Sequence, residues 1–81
     1  PQETDAYNLL GWLLASGDDY AGAIRNYEYS LTILPNQEDA LYNLGVLYDL
    51  KAEKQKAKEC FAKVLAINPD NKKAASYIAY I

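Results

Sequence analysis

No histidine occurs in the 81 residues of this chain, and cysteine occurs once, as Cys60. The first absence removes the commonest general base and the commonest transition-metal ligand. The second removes any internal disulfide. No apolar run approaches the roughly 18 residues of a membrane span, and no signal-like segment is present, so the default expectation is a reducing, cytoplasmic setting with no membrane. The glycines Gly11, Gly17, Gly22 and Gly45 are scattered and form no phosphate-binding loop. Nothing here is an enzyme signature, and no cofactor or metal is expected.

What is present is an apolar chain with ordinary charge: 51% hydrophobic and 23% charged residues, a composition that folds. A chain of this length buries about 60–65% of its unfolded surface, enough for one modest core. Residues 1–50 carry eight acids against Arg25, a net of −7, and residues 51–81 carry seven lysines against three acids, a net of +4. A basic excess confined to one end makes no continuous phosphate track, so nucleic acid is not an expected partner. The chain opens on Pro1 and stops on the apolar YIAYI, which reads as part of a longer protein.

Apolar positions recur at helical spacing along the whole chain. Tyr7, Leu10 and Leu14, with Leu9 and Leu13 beside them, predict a helix over 4–16. Gly17 can end it, and Asp18 or Asp19 can cap the next helix, over 20–34, whose stripe is Ala23, Ile24, Tyr27 and Leu31. Pro35 stops that helix, because proline lacks an N–H and disfavours helix in the residue before it. Asn36 is the expected cap of a third helix over 37–50, with Leu41, Leu44, Leu47 and Tyr48 inward. A fourth, 54–67, carries Ala57, Phe61, Val64 and Leu65, and a fifth fills 72–80. The paired acids Asp18–Asp19 and Glu38–Asp39 fall at helix starts, where capping and the helix dipole favour them without any catalytic role. Cys60 beside Phe61 reads as a small packing residue.

YNLLG at residues 7–11 echoes YNLG at residues 42–45, and the glycines set the register. Aligning Gly11 with Gly45 gives an offset of 34 that also pairs Leu10 with Leu44, Ala23 with Ala57, Tyr27 with Phe61, Leu31 with Leu65 and Pro35 with Pro69. Aligning the tyrosines keeps only the local letters. A fixed period of this length is the mark of stacked helical repeats. Tyr7, Leu10, Gly11, Leu14, Ala23, Tyr27 and Pro35, repeated as Leu41, Leu44, Gly45, Tyr48, Ala57, Phe61 and Pro69, resemble the tetratricopeptide (TPR) signature over residues 4–71. Tyr7 and Leu41 replace the family's frequent Trp, and Ser30 and Val64 its usual Ala.

The resemblance implies an all-α superhelix of antiparallel helix hairpins with about five helices: one domain over 1–81, with repeats at 4–37 and 38–71 and a capping helix at 72–81. In it Ala75, Ile78 and Ala79 begin a third copy. Small residues at helix crossings let two helices approach to about 8–10 Å, so Gly11 is expected to face Ala23, and Gly45 to face Ala57.

The resemblance further implies a protein-interaction scaffold in which the first helix of each repeat lines a concave groove for a peptide or helical segment. Its groove positions are Asp5, Asn8, Trp12, Ala15 and Ser16, then Asp39, Tyr42, Val46, Asp49 and Leu50, then Lys73, Ser76 and Tyr80. The aromatic and aliphatic members are anchor candidates, and the acids favour basic flanks. Of the family's carboxylate-clamp residues only Asn43 and Lys73 are kept, whereas Asn8, Trp12 and Tyr77 replace a Lys, an Asn and an Arg, so no chaperone-tail clamp is expected. Tyr7 falls on the packing face and Tyr42 in the groove; Tyr7→Ala is expected to cost stability and Tyr42→Ala binding. The alternative is a structural role: head-to-tail self-association through exposed solenoid ends, or packing on adjacent repeats of a longer protein.

Overall fold

Each helix predicted from periodicity has its counterpart in the computed structural model, which describes residues 2–81. The helices are α1 (Gln2–Ser16), α2 (Tyr20–Ile33), α3 (Glu38–Leu50), α4 (Lys54–Ile67) and α5 (Lys72–Tyr80). All regular structure among the described residues is helical. α1 packs on α2 and α3 on α4 as hairpins, and the α2·α3 and α4·α5 contacts join them in series. The core runs along this stack through Ala23, Tyr27, Leu41, Leu44, Phe61 and Val64, all 5% exposed or less.

The period of 34 extends to the backbone. Both tight turns end in a left-handed residue, Asp18 at φ 66° and Ala52 at φ 62°, which lie 34 apart. At the first turn Asp19 N donates to Leu14 O at 2.8 Å and Asp18 N to Ala15 O at 3.0 Å; at the second, Glu53 N donates to Tyr48 O at 2.8 Å and Ala52 N to Asp49 O at 2.9 Å. These are paired Schellman closures, which satisfy the last carbonyls of α1 and α3. The left-handed residue of the first turn is Asp18, not Gly17.

The glycines sit at helix crossings, where the nearest atoms are those of a ring; Gly11 also meets the Ala23 backbone, whereas Ala57 is not among the nearest neighbours of Gly45. A methyl group on Gly11 would stand 2.9 Å from the Tyr27 ring, with the Ala23 carbonyl next at 3.3 Å, and one on Gly45 would stand 2.8 Å from the Phe61 ring. The aromatic of α2 or α4 lies close against the bare backbone of α1 or α3, which is why the two positions pair in the 34-residue register. Ala23 and Ala57 are fully buried.

The capping expectation at the middle turn is also corrected. The N-cap of α3 is Gln37, which makes no side-chain cap bond; its amide is occupied elsewhere. Gln37 Nε2 donates to Ser30 O at 3.2 Å, Ser30 Oγ at 3.0 Å and Leu34 O at 2.8 Å, and Asn8 Nδ2 donates to Gln37 Oε1 at 2.8 Å. One residue therefore stitches α1, α2 and α3 together. Its 34-residue counterpart Asn71 does cap, with Oδ1 accepting from Ala74 N at 3.0 Å, while its Nδ2 donates to Glu38 at 2.7 Å beside a second bond from Asn68 at 2.9 Å.

Candidate functional site

α1 and α3 lie side by side along the stack, and between them is a small cavity of about 200 Å³. Trp12 and Ala15 of α1 and Asn43, Val46, Leu47 and Leu50 of α3 form its walls, with Tyr20 and Tyr27 of α2 at its back. Of the sequence-predicted groove residues, Trp12, Ala15, Asn43, Val46 and Leu50 are thus brought together. Trp12 is 57% and Leu50 58% exposed, large apolar groups standing in water at the cavity mouth.

The other predicted positions do not line this cavity. Asp5 and Asp39 are exposed, as are Ser16, Ser76 and Lys73, and Tyr80 is 78% exposed at the far end. Asp49 pairs with Lys54 at 3.4 Å. Asn8 is tied to Gln37, and its Oδ1 is buried without a bond from the protein. Asn43 Nδ2 donates to Tyr27 Oη at 3.3 Å, which fixes its amide at the cavity wall. Burial raises the Tyr27 phenol above its ordinary range, and the Asn43 N–H pulls it partly back.

Tyr42 has a double attachment. It turns an edge to Phe61 at 5.8 Å and to Tyr77 at 5.9 Å between ring centroids, and Tyr77 stacks on Phe61 at 4.6 Å. Burial, then the Tyr77 hydroxyl, raises its phenol above the usual value. Tyr7 packs edge-on against Tyr29 at 4.6 Å. Both tyrosines are therefore packing residues, and the expected contrast between Tyr7→Ala and Tyr42→Ala narrows: loss of either ring removes intramolecular contacts.

Sequence reasoning missed Tyr20, Tyr27 and Leu47 as cavity residues. Leu47 and Tyr27 read as core, which they are, and a core residue's rim is not visible in a periodic pattern. One signal existed for Tyr27: its counterpart Phe61 has no hydroxyl, and a buried Tyr hydroxyl needs a partner, which here is Asn43. Tyr20 has Lys54 as its counterpart and carried no periodic signal.

A larger hollow of about 960 Å³ opens on the opposite side, between α2 and α4, over Leu31, Leu44 and Tyr48. Two contacts join polar groups of its lining. Tyr48 Oη donates to Glu28, and Lys56 Nζ lies 5.4 Å from the centre of the Tyr48 ring. Burial, reinforced by Glu28, raises the Tyr48 phenol. Burial also pushes the Cys60 thiol at this wall up to about 11, against the pull of Lys63, so the sulfur is a neutral thiol at physiological pH and a poor nucleophile. None of the sequence-predicted groove residues lies here. Among the described residues no three His, Cys, Asp or Glu side chains gather as metal ligands, and no helix is long and apolar enough to cross a membrane.

Residues 38–71 match the family model described as tetratricopeptide repeat. The chain is 37% identical over 68 residues to the uncharacterized protein ycf37 of Pyropia yezoensis, covering 84% of this chain and 38% of that protein. It is 32% identical over 72 residues to the photosystem I assembly protein Ycf3 of Synechococcus sp. (strain CC9605), covering 85% of this chain and 42% of that one. A crystal structure of MamA superposes with a TM-score of 0.94 at 29% identity, over 96% of this chain and 46% of that chain. The chain thus spans less than half the length of each of these proteins.

Proposed function

Since the chain belongs to the tetratricopeptide-repeat family, we propose that it is a protein-interaction module, with repeats at 4–37 and 38–71 and α5 as their cap, that holds a peptide or helical segment of a partner along the face of α1 and α3. The observation that carries this reading is the cavity between those helices. At about 200 Å³ it falls below the roughly 300–1,000 Å³ of small-molecule pockets and suits one bulky apolar side chain. The exposed rings and chains of Trp12 and Leu50 flank it, and large apolar groups are the usual interface anchors. Exposed Asp5 and Asp39 favour basic residues on either side of the partner's anchor. The likeness to a protein named for photosystem I assembly supports a role among protein partners. The larger hollow between α2 and α4 is the weaker candidate, because none of the predicted groove residues lines it and Tyr48 Oη is already engaged by Glu28 there.

The test is a panel of labelled synthetic peptides with one Leu or Phe between Lys or Arg residues, and matched peptides with acidic flanks. Fluorescence anisotropy is expected to show binding of the basic set only, weakened about tenfold or more by the Trp12→Ala, Leu50→Ala double variant. Both residues are exposed, so the variant is expected to keep its helical circular dichroism. Equal binding by the folded variant places the site elsewhere.

A further inference from the structure

The wall of the small cavity carries a polar pair that packing does not require. Tyr27, 2% exposed, packs closely on Gly11, and Asn43 Nδ2 donates to its hydroxyl at 3.3 Å. At the equivalent places 34 residues on stand Phe61 and Tyr77. Phe61 packs on Gly45 as Tyr27 does on Gly11, but it has no hydroxyl, and Tyr77 stacks on its ring at 4.6 Å. The same place in the two repeats is thus filled once by a hydrogen-bonded pair and once by two stacked rings. Both members of the pair lie within the stack, on α2 and α3, and both line the cavity.

The pair keeps hydrogen-bonding capacity that the chain does not use. A phenol has one O–H donor and two acceptor lone pairs, and a side-chain amide has two N–H donors and a carbonyl acceptor. The 3.3 Å bond engages one Asn43 N–H and one Tyr27 lone pair. Among the described residues the Tyr27 O–H and Asn43 Oδ1 have no other partner. A spare donor and a spare acceptor remain whichever end the amide turns to Tyr27.

The other walls set the rest of the match. Trp12, Ala15, Val46, Leu47 and Leu50 are apolar, and among the described residues no charged side chain lines the cavity. An anchor that fills this space therefore has an apolar body and a neutral tip that both donates and accepts. Tyrosine combines them on one ring. Leu or Phe would leave the pair without a partner as it loses water, which carries a penalty. A phosphate or carboxylate tip would find no cation to meet it.

Resting on the reading of this face as a peptide-binding one, we propose that the partner's anchor is a tyrosine, whose phenol donates to Asn43 and accepts from Tyr27, and that these two residues set the specificity of the site.

Labelled peptides with Lys or Arg flanks and a Tyr, Phe or phosphotyrosine anchor test this. By fluorescence anisotropy the chain is expected to bind the Tyr peptide about tenfold tighter than the Phe peptide, the increment of one or two net hydrogen bonds, and the phosphotyrosine peptide more weakly than either. Tyr27→Phe installs the ring that the chain already carries at residue 61, and the Tyr-to-Phe affinity ratio is expected to fall to about one. Asn43→Leu, at a half-buried position on the other side of the bond, is expected to lower the ratio in the same way, and circular dichroism checks that both variants are folded. A ratio near one in the wild type overturns the proposal. So does a tenfold ratio that survives both substitutions, or phosphotyrosine binding as tight as that of tyrosine. Any of these leaves the peptide-binding reading in place if Trp12→Ala with Leu50→Ala still weakens the Phe peptide, whereas binding of all three peptides that this double variant does not weaken overturns that reading as well.

Discussion

Leu10 and Leu44 hold the same place in the two helix pairs, yet one is 45% exposed and the other 5%. The difference does not come from the residue, the helix or the hairpin partner, which match: Gly11 lies under Tyr27 as Gly45 lies under Phe61. It comes from position in the stack, since α3 has α2 before it and α1 has no helix before it among the described residues. In a linear array each unit owes part of its burial to its neighbour. The α3/α4 pair therefore holds a completed core, with Phe61 and Val64 fully buried and Phe61 stacked on Tyr77, while the α1/α2 pair has one open side.

The largest expected effect breaks or upholds this comparison directly. Leu44→Ala removes a buried side chain and leaves a cavity, at a cost of about 2–5 kcal/mol. Leu10→Ala, from a half-open site, is expected to cost about 1 kcal/mol. Urea denaturation at low protein concentration measures both. If the two losses were equal and large, Leu10 would be covered in solution, and a rise in the Leu10→Ala loss with concentration would identify the cover as a second copy.

Much of this was legible in the sequence. The 34-residue register, the five helices and the stops at Pro35 and Pro69 all follow from letters that act locally or repeat. What was not legible depends on groups brought together from far along the chain. Asn36 looked like a cap by its neighbourhood; the residue that matters is Gln37, and its partners Asn8 and Ser30 lie 29 and 7 residues away. Gly11 and Gly45 were rightly placed at crossings, but how closely a ring of the facing helix approaches a glycine depends on that helix's rotation, which periodicity leaves open. For the candidate site, Trp12, Val46 and Leu50 could be picked as large apolar groups outside the repeat signature, whereas the Tyr42 ring, chosen on the same grounds, is drawn into the Phe61 and Tyr77 cluster. An apolar side chain at a helix's edge packs inward or stands free according to whether a neighbouring ring reaches it.

A smaller contrast sharpens the comparison at the two tight turns, where the backbone is the same and the capping chemistry is not. Asp19 Oδ1 accepts from Gly22 N at 3.0 Å at the start of α2, whereas Glu53, its counterpart at the start of α4, makes no cap bond and pairs with Lys56 at 3.3 Å on the surface. Asp19→Ala is expected to cost about 0.5–2 kcal/mol. Glu53→Ala is expected to stay within about 0.5 kcal/mol, since exposed ion pairs contribute little. The midpoint of thermal unfolding for the two single variants separates these outcomes, and equal shifts would mean that the two turns are capped alike.

The smallest effect runs the other way, toward greater stability, and it concerns the left-handed residues themselves. An L-residue in this conformation crowds its Cβ against the carbonyl, at about 1–2 kcal/mol, and Asp tolerates it better than Ala because its short polar side chain bonds locally. Asp18 does so, with Oδ1 accepting from Tyr20 Oη at 3.3 Å; Ala52 has no such group. Glycine at either place relieves the crowding but adds about 0.4–1 kcal/mol of unfolded-state freedom. At Ala52 the relief outweighs the added freedom, so Ala52→Gly is expected to stabilise the protein by about 0.5 kcal/mol. At Asp18 the two nearly cancel, and Asp18→Gly is expected to change little. In urea titrations the first variant should raise the midpoint at constant slope. If Ala52→Gly lowered it instead, the chain at residue 52 would not hold the left-handed turn that makes the two hairpins alike.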